Sequence, residues 1–152
     1  MSTATIFATP FQPKSKIRRP AQWSEIKLLL DASPWILGCV TKISEFSRLP
    51  ANWDGYGSNP MSKDAIRAAL RFLSEAPLQI ISEPSVSPVA GGGLGFHWRV
   101  ENRDLELEFL ADGTVEYLKT SLVEGEEIKP QEGTIRDLGD SRLWRWLSGE
   151  LA

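Results

Sequence analysis

Leu94-Gly95-Phe96-His97-Trp98-Arg99-Val100, then Leu105-Glu106-Leu107-Glu108-Phe109, then Val115-Glu116-Tyr117-Leu118 beyond Asp112-Gly113, decide the fold. Apolar and polar residues alternate with period 2 through all three runs, the pattern of strands with one buried and one wet face. Asn102-Arg103 is expected to turn the first run into the second. Asp112-Gly113 is a tight hairpin signal, because glycine enters the left-handed backbone region without a Cβ clash. Upstream, Gly91-Gly92-Gly93 forms a turn from residues 86–89, which Pro88 marks as an edge strand.

Before these strands the period is 3.6. Ile66, Ala69, Leu70 and Leu73 form an expected inward helical face, capped by Asn59 or Ser62 and ended by Pro77. Ser33-Pro34 starts an earlier helix running to about Leu49, since serine can cap free amides and proline is preset for the first helical position. Ile36, Cys39, Val40, Ile43 and Phe46 make its apolar stripe, and Pro50 stops it. Trp23, Ile26, Leu29 and Leu30 suggest a further short helix. After Lys119, residues 128–135 add a short strand, and residues 138–151 close as a helix with Leu143, Trp146 and Leu147 on one side. The expected fold is α+β: N-terminal helices packed on one face of an antiparallel meander of three to five strands, with a C-terminal helix, the other face left wet.

The 152 residues suit one domain, and six tryptophans suggest an indole-rich core. Residues 1–20 read as a flexible basic arm and residues 21–152 as a single α+β domain. The arm holds Lys14, Lys16, Arg18 and Arg19 and no acid, which leaves thirteen bases against twenty acids in the body. Residues 101–132 alone hold ten acids and three bases, the whole of that excess. A single cysteine excludes an internal disulfide and favours a reducing compartment. Residues 6–11 are too short and interrupted for an apolar signal core, and no stretch of about 20 apolar residues is present to span a membrane. The cytoplasm is the expected location.

Trp53-Asp54-Gly55-Tyr56-Gly57 is the most distinctive stretch. Trp53 and Tyr56 could stack on a ligand that Asp54 hydrogen-bonds. The structural alternative has Trp53 plugging the core between two helices and Asp54 accepting backbone amides of the turn or of the next helix. Residues 49–57, Gly92-Gly93 before Phe96-His97-Trp98, and Leu105–Phe109 before Asp112-Gly113 together resemble a group of small uncharacterised bacterial proteins with an NWDGYG loop. That resemblance covers roughly residues 45–118. It implies a bacterial or phage origin and a shared scaffold, and it carries no established activity or site residue.

Gly91–Gly95 is not a phosphate loop, since a strand rather than a helix follows it. His97, the only histidine, should face solvent, either in a cross-strand polar pair with Glu106 or Glu108 or as a general base. Cys39 on its apolar stripe is expected to be buried and inert. No catalytic constellation, cofactor motif or metal-ligand spacing is recognisable. Glu101, Glu106, Glu108 and Glu116 should share the exposed sheet face, followed by Glu124, Glu126 and Glu127. Such a surface is either a solvated face that discourages aggregation or a docking face for a basic partner. Lys16, Arg18 and Arg19 of the arm would add partner contacts, although four charges without interleaved aromatics make nucleic acid a minority reading. The expected function is that of a non-enzymatic accessory or inhibitor protein, antitoxin-, immunity- or anti-defence-like. Its partner would be a protein encoded by a neighbouring gene. The alternative is a small-ligand-binding domain using Trp53, Asp54 and Tyr56.

Overall fold

The computed structural model describes residues 33–150. The first expected helix, around Trp23–Leu30, and the basic arm lie outside the described residues. Helix α1 (Trp35–Phe46) and helix α2 (Lys63–Glu75) precede strands β1 (Ser85–Val89), β2 (Gly93–Val100), β3 (Arg103–Phe109), β4 (Val115–Val123), β5 (Glu126–Glu127) and β6 (Gln131–Thr134), and helix α3 (Arg142–Leu147) follows. The fold is α+β, as expected. The strands form an antiparallel meander β1-β2-β3-β4, and the far edge of β4 is shared: β6 pairs with residues 116–119 and β5 with residues 122–123.

Register sets the two faces. Phe96 opposes Leu107 and Trp98 opposes Leu105, and these four side chains are buried. On top of them lies α2. Ser62 caps it in an extended conformation, its Oγ accepting the Ala65 amide at 2.9 Å while donating to the Ala111 carbonyl at 2.7 Å. The Ser62 amide reaches the Gly92 carbonyl at 2.9 Å, so one residue ties the helix start to both neighbouring hairpin turns. Phe72, 1% exposed, contacts Phe96, Trp98, Phe109 and Trp144 at centroid distances of 5.6–6.0 Å. Edge-on and tilted contacts of this kind favour aromatic quadrupoles as well as area burial.

Several boundaries differ from the sequence reading. The inward face of α2 is Ala65, Ala68, Ala69, Phe72 and Leu73; Leu70 is 36% exposed. Small alanines let the helix approach the sheet, and the i, i+3, i+4, i+7 series from Ala65 ends on Phe72 rather than Leu70. Ser33 places no side-chain cap on α1, although its carbonyl accepts the Ile36 amide. The β2–β3 turn is Glu101-Asn102, one residue earlier than expected, with Glu101 at φ 54°. Asn102 is held there because its amide group donates to the Leu122 carbonyl at 2.6 Å and its own carbonyl accepts the Leu122 amide. The final helix is short. Asp137 and Asp140 accept the Gly139 and Arg142 amides, diverting the backbone into turns before it, and Gly149 at φ 89° follows its end. Its buried residues are Trp144, Trp146 and Leu147, with Leu143 only partly covered.

If Phe72 anchors helix to sheet, Phe72→Ala should cost about 3–5 kcal/mol in urea denaturation. Leu70→Ala should cost less than about 1 kcal/mol. Equal losses would contradict this packing.

Candidate functional site

Strands with one face buried under helices must present the other to water, and on this sheet that face is acidic. Register places Glu106 opposite Leu118, and Leu118 opposite Glu132. One row along, Glu108 lies directly opposite Glu116, which lies opposite Thr134. Directly opposed residues on one face have Cβ atoms about 4.5–5.5 Å apart, so the Glu108–Glu116 pair is a like-charge contact. Together with Leu118 these side chains line a shallow hollow of about 470 Å³. None of the four glutamates makes an ion pair with a described residue.

Of the expected acidic residues, the sheet brings together Glu106, Glu108 and Glu116. Glu101 does not join them: it is exposed in the β2–β3 turn, where its left-handed backbone takes it off the strand alternation. Glu124 is likewise in a turn, at φ 54°. Glu132 was not singled out from the sequence, because its four-residue strand carries little alternation; only pairing with β4 puts it on the face. Lys16, Arg18 and Arg19 lie outside the described residues.

His97 stands at one end of this face, opposite Glu106 in register, yet its Nε2 meets Asp104 Oδ1 at 2.8 Å instead. Arg99 donates to both oxygens of the same carboxylate, Nε at 2.9 Å and Nη2 at 2.8 Å. Those bonds, with Arg99 the larger influence and His97 the smaller, hold the Asp104 carboxyl below its ordinary range. Asp104 was missed in the sequence because it precedes the clear alternation; its position opposite Arg99 was the available signal. The His97 side chain is 41% exposed and does not line the hollow between the glutamates. Cys39 is buried, and burial chiefly, with Glu83 nearby, pushes its thiol up to about 11, so it is protonated at neutral pH.

The loop before α2 closes on itself. Asp54 Oδ1 accepts the Tyr56 and Ser58 amides at 2.9 and 3.2 Å, and its other oxygen takes the Ser58 hydroxyl. Asn52, at φ 61°, accepts the Gly57 amide through its side chain. Gly55 and Gly57 adopt φ of 79° and 83°, angles open to glycine. Trp53 is half-buried and donates to the Asn59 carbonyl at 3.2 Å; it does not belong to the core cluster, so it is no plug between helices. Tyr56 projects at 93% exposure, and neither it nor Trp53 or Asp54 lines the hollow between the glutamates. Among the described residues, no group of three or more His, Cys, Asp or Glu side chains is placed to hold a metal ion, and no helix is long and apolar enough to cross a membrane.

Compared with protein-family models, curated proteins and solved structures, the chain matches none. Function therefore has to be argued from this geometry.

The Ser58 hydroxyl first, then the Tyr56 amide, lower the Asp54 carboxyl from its ordinary 3.8. A lowered folded value means that the loop contacts are complete above 3.8 and are lost as pH falls through the lower value. The Tyr56 and Ser58 amide resonances should therefore titrate with a midpoint below 3.8. A midpoint at or above it would contradict the capping role.

Proposed function

We propose that this protein is a non-enzymatic binding protein that docks through the open acidic face of its sheet onto a basic protein partner. Within that class the reading is an accessory or inhibitor protein of bacterial or phage type, antitoxin-, immunity- or anti-defence-like, acting in the cytoplasm on a partner encoded by a neighbouring gene. The observation that carries it is the block of Glu106, Glu108, Glu116 and Glu132 on adjoining strands, with no described base neutralising any of them. A face that served solubility alone could intersperse both signs; here one sign surrounds a single apolar residue, Leu118, in a shallow hollow. Such a field speeds encounter with a basic surface and excludes acidic partners. The basic arm would reach acidic rim residues of the same partner. The loop reading is weaker, because Tyr56 stands free and the loop's polar groups are already bonded within it.

The test is parallel affinity capture from the native host with the wild type and with E106Q/E108Q/E116Q/E132Q. A partner of basic surface should be held by the wild type at about 0.1 M salt. It should associate roughly tenfold more slowly with the variant and be released at high salt, where screening shortens to a few ångströms. A partner retained equally by both proteins and in high salt would overturn the proposal, as would a purely monomeric state with nothing bound.

A further inference from the structure

The helix-covered side of the sheet carries a second hollow, of about 500 Å³, where α3 and the segment before it overhang β4 and β6. Its volume is in the range of small-molecule sites, about 300–1,000 Å³. Tyr117 and Lys119 enter it from β4; they lie opposite Leu107 and Leu105, whose buried side chains fix this as the helix side, away from the acidic face. The inner wall is apolar, from the partly buried Ile135, Leu138 and Leu143, with Phe72 and Trp144, nearly inaccessible to solvent, behind them. The rim carries three bases, Lys119, Arg136 and Arg142, against two acids, Asp137 and Asp140.

The rim cations differ in how they are held. Arg142 is oriented by Asp140, with Nε and Nη2 on Oδ2 at 2.9 and 2.6 Å, and this pairing balances its charge. Lys119 is held over the Trp146 ring, Nζ 5.1 Å from the centroid, and makes no ion pair with a described residue. Arg136 makes none either. Two cations without an ion-pair partner among the described residues therefore flank an apolar-walled hollow that holds one unpaired acid, Asp137, in a body whose acids outnumber its bases by twenty to thirteen outside the arm. Low-dielectric walls focus such a field at the hollow.

We propose that this hollow binds a small organic anion carrying a flat ring, with the ring against Ile135, Leu138 and Leu143 and the carboxylate or phosphate head between Lys119 and Arg136. The Tyr117 phenol is placed to give a directional hydrogen bond to the same ligand, the combination of apolar wall and few polar groups that fixes orientation in small-molecule sites. Arginine suits the planar head, and lysine contributes a point charge. This site is separate from the acidic face, and either can fail alone.

The test is nuclear magnetic resonance titration of the full chain with naphthalene-2-carboxylate, 2-naphthyl phosphate and the neutral 2-naphthylmethanol. At least one anion should give saturable shifts confined to Lys119, Arg136, Leu143 and Trp146, and bind at least about threefold more tightly than the neutral ring, the gain expected from a partly exposed ion pair. Whichever anion is preferred identifies the head. Lys119→Met and Arg136→Gln should each weaken that anion by a similar factor. Arg136 is exposed, so its replacement keeps the test valid if the Lys119 variant is unstable. Arg145→Gln, outside the hollow on the same helix, should leave binding unchanged. No saturation by about 5 mM, equal binding of the neutral ring, or shifts scattered over the acidic face would each overturn the proposal.

Discussion

The packing of Phe72 against Phe96, Trp98, Phe109 and Trp144 is the contact on which the remaining architecture depends. One side chain from α2 joins two central strands and the C-terminal helix. The rings also contact each other, Phe96 with Phe109 and Trp98 with Trp144, both at 5.0 Å. The Trp98 indole is satisfied by the Ser82 carbonyl at 2.7 Å, so the cluster buries no unbonded donor. Because that cluster occupies one face of the sheet, the opposite residues of β2, β3 and β4 have no alternative to solvent.

That division explains where the charge goes. The hairpins hold the acidic excess of the body, and alternation sends Glu106, Glu108 and Glu116 to the wet side. At the β2 end, Arg99 neutralises Asp104, which His97 also hydrogen-bonds; further along, toward β4 and β6, nothing described neutralises the glutamates. Opposed like charges cost stability. A face arranged this way adds nothing favourable to the fold, which is why we propose it as the docking surface. The cationic rim beside α3 has the opposite sign and sits on the opposite side.

Much of the fold was legible because alternation and turn chemistry are local. The β2 and β3 runs, the hairpin at Asp112-Gly113 and the Ser62 cap all follow from residues within a few positions of each other. What was not legible depended on long-range partners. Phe72 faces inward instead of Leu70 because alanines elsewhere on the helix meet the sheet. Glu101 leaves the face because Asn102 is needed at Leu122, twenty residues on. Of the acidic face, three members were read correctly and Glu132 was not, since its strand is defined by pairing rather than by pattern. The hollow beside α3 could not be foreseen, as its walls come from α2, β4, β6 and α3.

The central claim is that the acidic face is electrostatically uncompensated. Glu116→Gln, measured by thermal and urea denaturation at low ionic strength, tests it most directly. It removes one charge from the directly opposed Glu108–Glu116 pair and keeps the side chain's shape. The account predicts a gain of about 0.2–1 kcal/mol that shrinks as salt is added. A loss of stability, at any salt concentration, would contradict it by showing that Glu116 is held by a favourable partner.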